Sequence, residues 1–211
     1  TDITPSGEII SADLSESGYL AVCTEAAGYK GAVTVYDTSG KAVYVWYSGT
    51  GYLVRAAVSP DGKYLAALCL QDSGSVVHTF ALTSEDERGS AACADELFAD
   101  LFWRGGKVCC VSQTRLAFFD DNAKLTAEYP FGDLYLYDYA AEGDGFLCRV
   151  AGFAQAPTLE QEVGEVVPGR GRVVAAGGVL EHGFGFGQCA GFVEAVAEAH
   201  RQGEAAGPAF E

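Results

Sequence analysis

The residue pattern best placed to do chemistry lies late in the chain, where Val173-Val174-Ala175-Ala176 is followed by Gly183-Phe184-Gly185-Phe186-Gly187-Gln188-Cys189-Ala190. Glycines so placed between a strand and a helix let backbone N–H groups approach a pyrophosphate at the helix N-terminus. The motif also needs a second strand with an acidic residue some twenty positions on, and Glu211 is reached without one. His78, His182 and His200 are far apart, and none has a second ligand at helical or strand spacing. The acidic stretch from Asp138 to Asp144 ends in Gly145 but lacks the regular alternation of oxygen ligands of a calcium loop. Ser48, in Tyr47-Ser48-Gly49-Thr50-Gly51, is preceded by the wrong residue for a nucleophile elbow. No catalytic, metal-binding or cofactor-binding residue is assigned, and no cofactor is expected.

Seven cysteines, an odd number without regular spacing, exclude a complete disulfide framework. Most lie in apolar strand runs, where a free thiol acts as a small hydrophobe. Adjacent Cys109 and Cys110 would point to opposite faces of one strand and cannot chelate one metal together. Aromatic residues are the remaining signal. Tyr44, Trp46, Tyr47 and Tyr52 gather at one expected junction of elements, and Tyr129, Phe131, Tyr135, Tyr137 and Tyr139 at another, with Tyr135, Tyr137 and Tyr139 alternating onto one strand face. Packing explains most of them. The residues expected to contact a partner from loops are Tyr29, Lys30, Tyr52 and Arg55.

The elements that must position these residues repeat. Val54 to Leu68 reads strand, turn, strand: alternating apolar residues, then Ser59-Pro60-Asp61-Gly62, then a second apolar run. Pro60 pre-sets the turn's φ and Gly62 tolerates the positive φ that closes it. The same unit surrounds Gly18 and, more loosely, Gly106, so the turn glycines recur at a 44-residue period. Within the first period, strands are expected over 9–14, 19–24, 32–37 and 42–47; the second gives 53–58, 64–70 and 75–82, with a fourth strand blurred by the polar run 83–89. The third gives 97–103, 107–112, 115–120 and 124–129, and a fourth unit opens with 133–139 and 145–150. Units of four short strands at a period in the forties indicate an all-β, β-propeller-like fold of four-stranded antiparallel blades, since each sheet buries its faces only against its neighbours. Fewer than the usual number of blades would make an incomplete ring.

The composition agrees: 49% hydrophobic, 20% charged and 27 glycines in 211 residues suit a turn-rich β protein with a sizeable core. A formal charge of −16 without a basic patch argues against nucleic acid and against an anionic membrane face. No stretch is long and apolar enough to cross a bilayer. The start at Thr1 and the lack of methionine lead us to expect a mature or trimmed piece of a longer product. After about residue 152 the texture turns to Gly, Ala and Glu, so the expected organisation is blades over 1–152 and a divergent tail over 153–211. That tail reads as a decayed blade, a capping element, a short helix over 192–202, or sequence read out of frame.

The pairing of Ser59-Pro60-Asp61-Gly62-Lys63-Tyr64-Leu65 with the Val35-Tyr36-Asp37-Thr38-Ser39-Gly40 hairpin resembles the blades of WD-repeat-like and YVTN-type bacterial propellers. More narrowly, Gly7-Glu8-Ile9-Ile10-Ser11-Ala12-Asp13, Gly28-Tyr29-Lys30-Gly31 and Trp46-Tyr47-Ser48-Gly49-Thr50-Gly51 resemble a bacterial propeller family of no assigned activity, commonly tethered by one N-terminal membrane helix. The resemblance covers about residues 7–150. It implies a membrane-anchored, extracytoplasmic domain, although this chain carries no such helix. The expected function is a non-enzymatic binding or scaffold domain that presents blade loops to a protein or glycan partner. The alternatives are an enzyme or cofactor site in the central channel, disfavoured because the inner strands open with Ile9, Leu53, Leu97 and Leu134, and a fragment of a larger propeller without activity of its own.

Overall fold

The structure, a computed structural model, describes residues 3–142 and, beyond them, the backbone of five further strands ending at Leu180, with the side chains of Cys148 and Val150. The expected helix over 192–202 and the glycine-rich run 183–190 lie outside the described residues. What is described is all β. The first sheet holds β1 (Ile9–Leu14), β2 (Leu20–Thr24), β3 (Ala32–Tyr36) and β4 (Ala42–Tyr47) in that order. The second holds β5 (Tyr52–Val58), β6 (Tyr64–Gln71), β7 (Gly74–Ala81) and β8 (Glu87–Ala94). The third holds β9 (Phe98–Arg104), β10 (Lys107–Ser112), β11 (Arg115–Phe119) and β12 (Leu125–Pro130). The fourth holds β13 (Leu134–Glu142), β14 (Gly145–Gly152), β15 (Val163–Val167) and β16 (Arg170–Gly171), and β17 (Val173–Ala175) pairs with β18 (Gly178–Leu180). Within each sheet every pairing is antiparallel.

One finding departs from the sequence reading, and a second adds to it. The polar run 83–89 blurs the second unit's fourth strand in the sequence, yet β8 forms from Glu87 onward, carried by the small residues Ser90, Ala91 and Ala92 paired to β7. Low β propensity did not prevent a strand, because ladder pairing and burial decide. In the fourth sheet, β15 pairs with β14 beyond the change of texture at residue 152, so this sheet takes its outer strands from 163–167 and 170–171.

Local chemistry repeats with the period. In the β5–β6 turn, Gly62 N–H donates to Ser59 O at 2.9 Å, Ser59 Oγ accepts from Tyr64 N–H at 2.9 Å, and Ser59 Oγ donates to Asp61 at 2.7 Å. One period earlier, Gly18 N–H donates to Ser15 O at 2.9 Å and Tyr19 N–H to Ser15 Oγ at 3.1 Å. Gly62 has φ 71°, and a Cβ there would stand 2.9 Å from the Tyr19 ring, so this glycine serves both the turn and the seam to the previous blade.

The core is divided among the blade junctions. Ala21, Cys23, Val33, Val35 and Tyr44 of the first blade meet Leu53, Leu65, Ala67 and Phe80 of the second. Ala66, Leu68 and Val77 of the second meet Phe98, Leu101, Val108 and Phe119 of the third. Cys109, Val111, Leu116 and Phe118 of the third meet Cys148 and Val150 of the fourth. Cys109 and Cys110 therefore serve different cores, as strand alternation requires.

Candidate functional site

One corner of the first two blades gathers most of the expected contact residues. The β2–β3 loop and the β4–β5 connection are stitched by main chain: Lys30 N–H donates to Ser48 O at 2.8 Å, Ser48 N–H to Gly31 O at 2.9 Å, and Leu53 N–H to Lys30 O at 3.1 Å. A Cβ at Gly31, where φ is 140°, would stand 2.8 Å from the Leu53 side chain, so glycine permits this approach. Ser48 is buried and its hydroxyl donates to Gly51 O at 2.5 Å, which gives it a turn-closing role.

On this base the Tyr29 and Tyr47 rings lie 4.8 Å apart, and Lys30 Nζ donates to Tyr52 Oη at 3.0 Å while standing 4.4 Å from the Tyr52 ring centre. Tyr29, Tyr47 and Tyr52 are 53%, 50% and 60% exposed. Broad aromatic faces left in water on a rigid base are the usual anchors of protein interfaces. Tyr47, which the sequence places with the packing aromatics, belongs to this surface; Tyr44 and Trp46 turn to the first core against Phe80.

Arg55 does not share this corner. A bulge in β5 between Leu53 and Arg55 shifts its register, and Arg55 Nε donates to Asp100 Oδ1 on β9 at 2.6 Å. The other Asp100 oxygen accepts from Tyr139 Oη on β13, and Leu101 N–H donates to Oδ1 at 2.8 Å. One carboxylate thus ties the inner strands of three consecutive blades. Burial opposes ionisation of Asp100, but the Arg55, Tyr139 and Leu101 hydrogen bonds outweigh it and lower its pKa. Asp13 on β1 lies near this set, and burial raises its pKa against the attraction of Arg55, with Asp100 adding to the rise. Burial and the hydrogen bond to Asp100 also raise the Tyr139 phenol. A carboxylate held ionised and a phenol held neutral do not exchange protons near pH 7; the set is built as a clamp between blades.

The inner strands therefore do carry convergent charged groups, in mid-strand rather than at the strand openings used to disfavour a channel site. The expected common face of Tyr135, Tyr137 and Tyr139 is also interrupted, by a bulge between Leu136 and Asp138. Tyr139 stacks on Phe102 with ring centres 6.0 Å apart, while Tyr137 is exposed. His78 is a strand residue paired to Glu87 at 2.7 Å. Among the described residues, no group of three or more His, Cys, Asp or Glu is gathered as a metal ion would need, and no helix is long and apolar enough to cross a membrane.

Four-stranded antiparallel sheets packed face to face through successive cores define a β-propeller-type protein, and comparison with solved structures agrees. The chain is similar to Kuenenia stuttgartiensis hydrazine synthase (TM-score 0.57, 14% identity, 85% of this chain and 50% of that one). It is also similar to the β-propeller domain of Myceliophteria thermophila Cps50 (Swd1) (0.56, 11%, 79% and 56%) and to the RRP9 WD40 repeats (0.53, 11%, 69% and 46%). It spans about half the length of the propellers it matches. The chain belongs to a family of unknown function, DUF5711, whose pattern matches residues 1–131. No curated protein matches it by sequence.

Proposed function

We propose that the chain is a protein-binding or scaffold domain that engages its partner through the corner formed by Tyr29, Lys30, Tyr47 and Tyr52. The observation that carries this reading is three half-exposed tyrosine rings on a main-chain-stitched base, two of them in tilted contact with each other and one capped by a lysine. Such rings offer large contact area at little cost in side-chain entropy, and the Lys30 ammonium adds a directional donor. The WD40 and propeller likenesses support a binding role in general, by analogy of fold.

Photo-crosslinking tests the reading. With p-benzoylphenylalanine in place of Tyr29 or Tyr52 in the full-length protein in its own cells, both positions are expected to trap the same partner, and a probe in place of Leu125 on the third blade is not. Capture at Leu125 alone, or of unrelated proteins at the two tyrosines, would refute the corner as the binding face. Loss of the adduct on deglycosylation of the captured material would identify a glycan as the contacted group. Placement outside the cytoplasm, on a membrane anchor beyond this chain, is part of the proposal. Its support is the resemblance of residues 7–150 to anchored propellers, and protease digestion of intact cells tests it: degradation without lysis is expected, and full protection would reject it.

A further inference from the structure

The outermost strands of the first three blades are not alike. β8 opens with Glu87-Arg88, and β12 carries Glu128 and ends in Pro130, whereas β4 reads Ala42-Val43-Tyr44-Val45-Trp46-Tyr47, with neither charge nor proline. Charges and prolines are the ordinary means of keeping a sheet edge from recruiting another strand. The β8 edge is covered as well. At the junction of blades two and three, Arg88 reaches into the β11–β12 turn, donating to Asp121 O at 3.1 Å, Asp121 Oδ2 at 2.8 Å and Asn122 Oδ1 at 3.0 Å. Its guanidinium lies 4.9 Å from the Tyr64 ring centre. A Cβ at Gly89 would stand 2.1 Å from Asn122 O, which measures how closely turn and strand are pressed together.

The corresponding place one blade earlier is open. Between β4 residues 43–46 and the β7–β8 turn at 82–85 runs a groove of about 490 Å³, against about 130 Å³ for the cavity beside β8. Val43 and Val45 stand 40% and 46% exposed along it, and among the described residues no strand pairs with the outer edge of β4. Its far wall is Leu82, Thr83, Ser84 and Glu85. Burial, then Glu85 and Glu87, raise the pKa of the Tyr44 phenol on its floor.

We propose that this groove receives an extended, arginine-bearing segment of a partner protein, which adds a strand to the free edge of β4 and places a guanidinium between the Glu85 carboxylate and the Tyr44–Trp46 aromatics. The molecule already contains this arrangement one blade on, where Arg88 sits between an acidic turn and an aromatic ring. Main-chain pairing would supply affinity and the charge would select the segment. A second copy of the chain fits poorly, since edge-to-edge pairing would bring two acidic turns together in a molecule of formal charge −16. The inference rests on the reading of the chain as a binding domain and names the class of segment bound beside the tyrosine corner.

The probe is a fluorescein-labelled octapeptide of alternating valine and arginine, with an alternating valine and glutamate octapeptide as control, read by anisotropy on the whole chain. The arginine peptide is expected to bind, to protect the amides of 43–46 from hydrogen exchange, and to lose tenfold or more in affinity with Val45→Pro, which leaves the charge unchanged. Glu85→Lys should weaken it severalfold, and Leu125→Ala on the third blade should not. If Val45→Pro alters the circular dichroism, Val45→Lys blunts the same edge. Binding that survives both edge variants, or protection that appears elsewhere, overturns the proposal. A dimer in sedimentation that the edge variants abolish also overturns it, by giving the edge to a second copy. Crosslinking at Tyr29 and Tyr52 without peptide binding would reject this inference and leave the scaffold reading standing; peptide binding without crosslinking would reject the tyrosine corner as the partner face and leave the groove.

Discussion

Asp13 and Asp100 are neighbours with opposite effects on stability. Asp100 has a lowered pKa, so it contributes stability above the ordinary carboxylate range and loses it as the pH falls through its own lowered value. Asp13 has a raised pKa, so the folded state binds its proton more tightly than the unfolded chain does, and its ionisation at neutral pH opposes folding. Urea titrations should therefore give opposite results at pH 7, with Asp100→Asn lowering the unfolding midpoint and Asp13→Asn raising it. Both differences should shrink as the pH is taken below the ordinary carboxylate range. A fall with both variants would mean that Asp13 is paired to Arg55 and belongs to the clamp.

The element that recurs is the serine-closed turn, and its cost can be measured at one atom. Ser59 is buried, and its hydroxyl accepts the Tyr64 N–H and donates to Asp61. Ser59→Ala leaves that N–H without its partner and should cost about 1–2 kcal/mol, visible as a fall in the thermal midpoint of a few degrees. Ser15→Ala, one period earlier, should behave alike; no change at either position would show that water replaces the hydroxyl. This turn was legible in the sequence because Gly18 and Gly62 must take positive φ at a fixed spacing, as Gly106 also does. The third-unit strand over 107–112 was legible from its apolar run. Other features were less so, for identifiable reasons. The small, polar start of β8 carries no strand signal until its ladder to β7 is counted. The bulges beside Arg55 and Asp138 move side chains off the faces that strict alternation assigns. Arg55 and Asp100 stand one residue out of step with the period, so comparing like positions in successive repeats nearly finds the clamp. Tyr29 and Lys30 were legible as loop residues, but Tyr52 opens β5, and Tyr47 was hidden in a strand whose other aromatics are core.

At the scale of the whole molecule, five of the six described cysteines are buried in the junction cores, and Cys93 is half-buried beside Arg115. Burial pushes the Cys23 and Cys69 thiols up to about 11 and Cys148 to about 12, so near neutral pH they offer neither access nor thiolate. Alkylation of the native chain followed by peptide mapping should mark Cys93 first among these six, with Cys23, Cys69, Cys109, Cys110 and Cys148 modified only as the blades open. Early modification of Cys109 or Cys148 would mean that the junction of the third and fourth blades opens by itself.

The division of the core into junctions also bears on how the chain is made. The first core draws on residues from Tyr19 to Leu82 and on none after them, while the second begins at Val54 and ends at Phe119. During synthesis from the N-terminus, each blade can settle on the one already out of the ribosome before the next is translated. The order in which the chain emerges is thus the order in which these junctions are covered, and a pause after any blade leaves the leading face of that blade uncovered.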